Sequence, residues 1–503
     1  MTRLGNWGSW ALLVGLAVFS AACGGSPDGG ASSTVAELED SGVRHLVLVT
    51  VDTLRADHLA CYGYPRDTSP AIDGLAADGV VFERAYATSG TTIPSHLSMF
   101  TGLLPHQHGY LRNQDAAQRP VRPEVGRQTI AEALGAAGYL TAGFVSSAPV
   151  SRRAGMHLGF QVFSDPKDAR RKGKITNRRM TRWLRAAVSE GQVGPQRPLF
   201  LWVHYWDVHE PNDPPEPYAS MFPPNAESEA LVRARGVDPA KLTEAFSPFY
   251  RARHFDVQAY VEHGRKLDDG PGTPVTMDQV LDLYRRYDGD VRYTDDQVGE
   301  LVELLRETGL WDQTVFCLTA DHGQSLGQHN WLEHGRVTEE NVLVPWILRA
   351  PGLAPGRVSG LVSLLDLGPT LASQLRSVNL DAYLQASEGK DALARGFERA
   401  YAVAHRSTRQ SDRAWEETRV VLTDQRWKLA YSRESTPELY DLDADPLEQH
   451  DLAAEYPAVV ERLLRQVKST LARRPAGEGG EHGETNTALS SELESLGYAG
   501  DDE

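Results

Sequence analysis

Four residues with oxygen or nitrogen donors stand where a strand or a helix would fix their positions. Asp52 follows an apolar run that begins at His45, and Asp321 and His322 follow a run that ends at residue 319. Thr92 lies in a turn before a helix. Carboxylate, imidazole and hydroxyl groups together suit a divalent cation such as Zn²⁺, Mn²⁺, Mg²⁺ or Ca²⁺. The ion would polarise an ester and make the Thr92 hydroxyl a usable nucleophile. Because each residue alone is more simply a cap or a turn, this interpretation rests on their joint occurrence.

The segments that would position these residues alternate between strand and helix patterns. Continuous apolar, β-branched runs predict buried strands, at residues 45–51, 79–82, 138–145, 199–203 and 315–319. Helical patterns lie between them, at residues 69–77, 127–134 and 298–308. Strands that alternate with helices, with polar residues just past the strand ends, indicate a doubly wound α/β sheet. We therefore predict an α/β fold built as an αβα sandwich.

The 503-residue chain is long enough for one large core and a smaller appended unit. We predict a catalytic domain at 44–398, with an insertion at about 210–274 that is rich in prolines and charges and would cover the site. A small C-terminal subdomain at 399–473 would end in an amphipathic helix, and residues 474–503 would form a mobile tail. The net charge of −17 argues against a nucleic-acid partner, because phosphate backbones select basic faces.

The first residues are typical of an export signal. Arg3 precedes a short apolar core at 10–19, and small residues at 20–22 precede Cys23, as in a bacterial lipoprotein signal. We predict a signal peptide at 1–22, a lipid on Cys23 that anchors the protein in the cell envelope, and a flexible tether at 23–43. The alternative is an ordinary signal peptide in which Cys23 has no role.

Two later segments resemble a known family. Residues 92–105 are similar to the sulfatase signature, in which a cysteine or serine is followed by Pro, Ser and Arg and then by Thr-Gly. Residues 321–329 are similar to the second metal motif of that family, and shorter matches lie at 344–345, 366–370 and 438–448. The likeness to sulfatases of the alkaline phosphatase superfamily spans about 44–473. It implies metal-dependent ester hydrolysis, a large mixed sheet and a small C-terminal antiparallel sheet with a packed helix.

The chain departs from sulfatases at the nucleophile position. Sulfatases oxidise a Cys or Ser there to formylglycine, whereas this chain has Thr92, which that modification cannot use, and His96 replaces the arginine. A threonine at this position is similar to nucleotide pyrophosphatases and lipoteichoic-acid-type transferases, which act on phosphoesters through a phospho-threonine. A metal-held alkoxide can displace in line at phosphorus, but a sulfo-threonine lacks the second hydroxyl that expels sulfate. This chemistry favours a phosphoester substrate.

The resemblance also implies residues around the nucleophile that would grip an anion. His209 resembles the family histidine that contacts the ester, and His334 stands twelve residues after His322, where phosphonate monoester hydrolase relatives carry a lysine. His96 is a third candidate. We predict His96, His209 and His334 as catalytic residues beside Thr92.

We predict Asp52, Thr92, Asp321 and His322 as the ligands of one divalent ion (Ca, Mn, Zn or Mg). Sulfatases have paired aspartates where this chain has Asp52-Thr53, so its cation can differ from the calcium of the family. Two ions are the alternative. Relatives with two ions have an aspartate and a histidine four residues apart, whereas Asp207 and His209 are two apart; His405 is a candidate late ligand.

These predictions describe a hydrolase of an anionic ester on a small molecule, a glycan or a lipid headgroup. Three alternatives remain open at this stage: a sulfuric ester hydrolase, an envelope phosphoryl-group transferase, and a non-catalytic binding lipoprotein. The presence of all four central residues speaks against the last.

Cys23→Ser should release the protein from the membrane without changing its catalytic rate, because the prediction places the only anchor on this thiol. Detergent partitioning of wild type and variant measures the release, and Cys61→Ser is the matched control. A Cys23→Ser protein that stays in the detergent phase would show that the lipoprotein prediction is wrong.

Overall fold

The structure is a computed structural model that describes residues 44–118, 128–194, 196–245, 254–255, 275–375, 378–409, 416–433 and 435–473. The predicted signal peptide, Cys23, tether, mobile tail and much of the insertion lie outside these residues. No helix among the described residues is long and apolar enough to cross a membrane.

The large sheet has eight strands and both parallel and antiparallel neighbours. Its strands are β1 His45–Val51, β2 Val80–Tyr86, β3 Leu140–Phe144, β4 Val162–Ser164, β5 Leu199–Tyr205, β6 Thr314–Ala320, β7 Leu343–Arg349 and β8 Gly356–Ser363. They lie in the order β4-β3-β5-β1-β6-β7-β2-β8. β1 is central and pairs in parallel with β5 and β6, whereas β7 runs antiparallel to β6 and β2. Burial of both faces of β1 explains its unbroken apolar sequence.

Helices pack in two groups around this sheet. The α-helices of the described residues are α1 Pro70–Ala77, α2 Thr92–Thr101, α3 Pro105–His108, α4 Asn113–Gln118, α5 Ile130–Ala136, α6 Gly173–Ser189, α7 Ala226–Ala234, α8 Pro239–Ala245, α9 Met277–Glu307, α10 Glu339–Val342, α11 Leu367–Gln374, α12 Asp381–Ala386 and α13 Pro457–Leu471. α9 contacts α1 and α6, and α2 contacts α5 and α11. The predicted α/β architecture with a large mixed sheet is confirmed.

A second, four-stranded antiparallel sheet follows in the chain. Its strands are β9 Ala402–Arg409, β10 Glu416–Thr423, β11 Trp427–Tyr431 and β12 Glu438–Asp441, in the order β12-β11-β10-β9. α13 packs on β10 and β11 through an apolar face that includes Leu463 and Val467. This confirms the small antiparallel sheet with a packed helix.

Two predicted local features differ from the structure. The helix predicted at 298–308 is the end of α9, which starts at Met277. Its earlier turns bury Asp288, Asp290 and Asp295, which interrupt the apolar pattern. The helix predicted at 69–77 begins at Pro70, and the side chain of Ser69, which precedes it, donates to Asp73 and does not cap the helix.

A buried lysine links the small sheet to the large domain. Lys428 on β11 is 1% exposed, and its Nζ lies 2.9 Å from carboxylate oxygens of both Glu339 and Glu448. Burial alone would lower the pKa of Lys428, but the two carboxylates raise it above its usual value. The lysine is therefore charged, and its single positive charge reduces the repulsion between the two acids.

Lys428→Ala should lower the free energy of unfolding by about 3–5 kcal/mol, because it leaves two buried carboxylates without their cation. Urea denaturation measures the loss, with the exposed Lys468→Ala as the control. Equal unfolding midpoints for the two variants would contradict this assignment.

Candidate active site and metal centre

The register of three parallel strands brings the candidate metal ligands together. Val51 on β1 lies opposite Tyr205 on β5 and Ala320 on β6. The residues that follow, Asp52 and Asp321, therefore leave the sheet side by side at its carboxyl edge, which is where open α/β sheets form their sites.

Asp52, Asp321 and His322 form a compact donor cluster. One ligand atom from each lies within 4.8 Å of the others, and all three residues are buried. His322 Nε2 is 3.7 Å from Asp52 Oδ1 and 3.5 Å from Asp321 Oδ2. Within the described part of the chain, no hydrogen bond reaches either carboxylate oxygen of Asp52 or Oδ2 of Asp321. Buried carboxylate oxygens are costly without a partner, so this donor set fits a bound cation.

The electrostatics of the two carboxylates favour the same conclusion. Burial raises the pKa of Asp52 well above its usual value, and the nearby Glu210 raises it further. Burial likewise raises the pKa of Asp321, with an added contribution from Asp52. A divalent cation would remove the repulsion and hold both groups ionised. Because protons and the ion compete for the same oxygens, metal affinity should fall as the pH falls.

The hydrogen bonds of His322 define its tautomer. Its Nδ1 lies 3.0 Å from the Gly323 carbonyl, which can only accept, so Nδ1 carries the proton. Burial lowers the pKa of His322 well below its usual value and keeps the ring neutral. Nε2 therefore presents a lone pair toward Asp52 and Asp321, as a metal-ligating histidine requires.

Thr92 stands at the edge of this cluster. Its Oγ1 lies 3.4 Å from His322 Nε2, and it is fully buried. It was expected in a turn before a helix, but it is the first residue of α2, and Thr91 is the N-cap. The helix N-terminus provides positive potential at the hydroxyl and at any anion bound beside it.

His96 lies one helical turn after Thr92 and holds it in place. Its Nδ1 donates to the Thr92 carbonyl at 2.9 Å, and its Nε2 lies 3.2 Å from Thr50 Oγ1. Trp202 Nε1 donates to the same hydroxyl at 3.0 Å, so the Thr50 proton is available to His96. Burial lowers the pKa of His96 well below its usual value. With both ring nitrogens engaged, His96 is placed to position Thr92 rather than to transfer protons.

The two predicted anion-binding histidines are in direct contact. His209 Nε2 lies 2.9 Å from His334 Nε2, and His209 Nδ1 lies 2.7 Å from the Glu210 carbonyl. The carbonyl requires a proton on Nδ1, so in its neutral form His209 accepts at Nε2 and His334 donates. The His334 ring is 4.8 Å from that of His322, which places the pair beside the metal cluster.

The sequence analysis missed His204 and Glu210. His204 Nε2 lies 3.5 Å from Asp52 Oδ2, and burial lowers the pKa of His204 to about 3. Glu210 Oε2 lies 3.3 Å from His209 Nδ1, and His209, Glu210 and His334 form a second group of metal-capable side chains. The sequence offered one signal for His204, a polar residue at the end of the strand predicted at 199–203. It gave no signal that β5 lies next to β1.

Two of the residues considered for an alternative second metal, and Thr53 beside Asp52, have other partners. His405 is 3.4 Å from His106, and Asp207 accepts from the Gly173 N–H at 2.8 Å. Thr53 donates from Oγ1 to the Asp52 carbonyl at 2.8 Å, so its hydroxyl is committed to the backbone.

The remaining signature residues shape the backbone of the site. Ser95 donates to the Asp321 carbonyl at 2.6 Å and ties α2 to the end of β6. Gly102 ends α2 with φ 67°, and a Cβ there would lie 1.9 Å from Ser387 Oγ. Gly323 is equally restricted, since a Cβ would lie 2.1 Å from the Glu340 carbonyl oxygen. Positions 102 and 323 require glycine because a neighbouring atom lies too close to leave room for a Cβ, and not because of the chemistry of the site.

A family model described as Sulfatase matches residues 44–377 of this chain. The chain belongs to the sulfatase family. An arylsulfatase of Clostridium perfringens is 23% identical over 86% of this chain and 95% of its own length. The crystal structure of a phosphonate monoester hydrolase of Agrobacterium radiobacter has the same fold, with a TM-score of 0.61, 21% identity and coverage of 85% of this chain and 95% of that one.

A further solved structure is a protein in complex with its substrate D-glucosamine-2-N,6-O-disulfate, with a TM-score of 0.64 and 20% identity, covering 85% of this chain and 98% of that one. Family members are ester hydrolases, and this sulfatase-family chain is one as well. Members are also generally metal-dependent, and the donor set at Asp52, Asp321 and His322 matches that property.

Loss of a residue that only orients a metal ligand lowers metal affinity by roughly 10–100-fold. Asp321→Asn should lower the affinity of the site for a divalent ion by more than this. The reason is that it removes a charged ligand from a set with few members. Elemental analysis after dialysis at controlled free metal measures this. Asp295→Asn, a buried carboxylate on α9 that accepts from the Ala71 and Ile72 amides, is the control. Unchanged metal content in Asp321→Asn would contradict the ligand assignment.

Proposed function

We propose that this protein is a metal-dependent hydrolase that cleaves an anionic ester through Thr92, with phosphoesters preferred over sulfate esters. The observation that carries the proposal is the position of the Thr92 hydroxyl, 3.4 Å from His322 Nε2 and beside two buried carboxylates. A threonine cannot become formylglycine, so this hydroxyl must itself be the nucleophile if the site works by covalent catalysis.

The chain's own residues support two in-line displacements. A divalent ion at Asp52, Asp321 and His322 would polarise the ester and stabilise the Thr92 alkoxide. In the first step the bond from Thr92 Oγ1 to phosphorus forms, the bond from phosphorus to the leaving oxygen breaks, and that oxygen takes a proton. The proton of the Thr92 hydroxyl passes to the contacting pair His209 and His334, and the pair passes one proton to the leaving oxygen, so that the pair ends the step as it began. In the second step water attacks phosphorus and the bond to Thr92 breaks. The pair moves a proton from the water to Thr92 Oγ1, and threonine and free phosphate result.

The position of Thr92 explains why it would serve as a nucleophile. It is the first residue of α2, so the partial positive charge of the helix N-terminus favours the alkoxide and the anionic ester together. His96 fixes the Thr92 backbone through its carbonyl. A phosphate monoester also carries more negative charge than a sulfate monoester, so a cation stabilises its transfer more.

Sulfate ester hydrolysis is the second candidate because of the relatives that the chain resembles. One is an arylsulfatase, and another was solved with a disulfated glucosamine as its substrate. For this chain the route would require Thr92 to release sulfate without a second hydroxyl.

We also propose that the enzyme acts in the cell envelope, attached by a lipid on Cys23. The short apolar core and the small residues before this cysteine support that location.

Thr92→Ala should lower kcat/KM for an activated phosphoester by more than about 10³-fold, as removal of a covalent nucleophile does. Thr92→Ser should retain measurable activity because it keeps the hydroxyl. Thr91→Ala is the matched control, because Thr91 carries the same side chain one residue earlier. Acid-quenched wild-type enzyme should show a phosphoryl-sized mass increase on the peptide that contains Thr92.

Two results would contradict the proposal, and they point in different directions. Faster turnover of aryl sulfates than of the matching phosphates would favour sulfate ester hydrolysis, the second candidate function. Full activity of Thr92→Ala with metal bound would mean that water attacks the ester directly.

A further inference from the structure

A basic pocket adjoins the catalytic histidines. It is a cavity of about 430 Å³ that reaches the side chains of Trp206 and His209 at the end of β5. Its other wall is the segment that leads into α6, with a row of cations at Lys167, Arg170, Lys172 and Arg179. We call this cavity the basic pocket.

The charge of the basic pocket is opposite to that of the whole protein. Five basic residues line it against three acidic ones, Asp165, Asp168 and Asp207, which leaves a formal surplus of two positive charges. The complete chain carries a net charge of −17. Because the acidic residues already keep the protein soluble, a local cationic surface on it indicates a binding role.

Two of the cations of the basic pocket, Arg170 and Arg179, are available for a ligand. Lys172 Nζ donates to the Asp213 carbonyl at 2.8 Å, and Arg171 is held by Ser164 and the Asp165 carbonyl. By contrast, the side chains of Arg170 and Arg179 have no hydrogen bond or ion pair with other residues in the described ranges. Guanidinium groups can bind a phosphate, sulfate or carboxylate through two parallel hydrogen bonds.

Mutual repulsion within the basic pocket also favours an anion. Burial and the charge of Arg179 lower the pKa of Arg171 to about 10, and Asp165 only partly offsets this. The nearby Asp207 does not neutralise the pocket fully. Its pKa is raised by burial to about 6, and its Oδ2 is already bonded to the first amide of α6.

The basic pocket adjoins the reacting centre through a series of contacting rings. The Trp206 ring stacks on His209 at 3.6 Å between centroids, and both line the pocket. From His209 the next ring is His334 at 4.8 Å, and from His334 the next is His322 at 4.8 Å. The basic pocket therefore lies two ring contacts away from His322, close enough for one ligand to contact both regions.

We propose that the basic pocket binds a second anionic group of the substrate, so that the physiological ester is carried on a scaffold with at least two anionic groups. This inference rests on the proposed ester hydrolysis and specifies its substrate class. Arg170 and Arg179 are the specificity-determining residues. They recognise the group that is not cleaved, whereas His209 and His334 face the ester that is.

The test compares two esters that differ only in the second anion. 4-Biphenylyl phosphate carries one anionic group, and biphenyl-4,4′-diyl bis(phosphate) carries a second at the far end of the same two rings; the corresponding sulfates form a parallel pair. Metal-loaded enzyme should show a higher kcat/KM for the bis-anionic member. The double variant Arg170→Gln/Arg179→Gln should lower the ratio of kcat/KM values, bis-anionic over mono-anionic, by at least about tenfold at low salt.

Arg182→Gln is the matched control, because it removes the same charge from the next turn of α6 outside the basic pocket. It should leave the ratio unchanged. The advantage of the bis-anionic ester should also shrink with added salt in the wild type. Equal ratios for wild type and the double variant, with both esters turned over, would overturn this inference alone. Absence of turnover of every ester by metal-loaded wild type would overturn the proposed function and this inference with it.

Discussion

The rest of the site depends on the placement of two carboxylates, Asp52 and Asp321, side by side inside the protein. Parallel pairing of β1 and β6 in a fixed register forces them together. Burial raises the pKa of both groups, and among the described residues neither carboxylate oxygen of Asp52 nor Asp321 Oδ2 has a hydrogen-bond donor, so the arrangement is unfavourable in isolation. A divalent cation would make it favourable, and His322, kept neutral by burial, would complete the donor set. In this account the stability of the folded site and its chemistry depend on the same interaction.

The neighbouring elements then adopt positions that serve this centre. Ser95 ties α2 to the end of β6, and His96 fixes the first turn of α2, so Thr92 reaches the cluster at 3.4 Å from His322. On the other side, the chain leaving β5 supplies His209, which meets His334 from the loop after β6. In the proposed mechanism the nucleophile and the histidines that transfer protons therefore come from different elements of the fold.

The sequence predicted the parts that depend on local pattern. β1 has the predicted bounds because a strand buried on both faces is apolar throughout. Asp52, Asp321 and His322 were found because they follow such runs, and Thr92 because it begins the segment that resembles the sulfatase signature. All predicted site residues lie at one edge of the sheet, although their catalytic roles stay predictions.

The parts that depend on strand order were not predictable in the same way. His204 and Glu210 join the site only because β5 lies next to β1, and no local pattern encodes that neighbour. α9 was predicted too short because its first turns bury aspartates whose partners are distant in sequence, such as Asp288 with His58. The basic pocket combines residues 165–179 with 206–211, which only the folded chain brings together.

Anomalous diffraction from crystals of the full chain grown with Zn²⁺ or Mn²⁺ tests the central claim most directly. The account predicts a strong peak about 2.0–2.3 Å from carboxylate oxygens of Asp52 and Asp321 and from His322 Nε2. Thr92 Oγ1 should border the same ion. A peak confined to surface carboxylates, with Asp52 and Asp321 joined instead by a shared proton, would contradict the account.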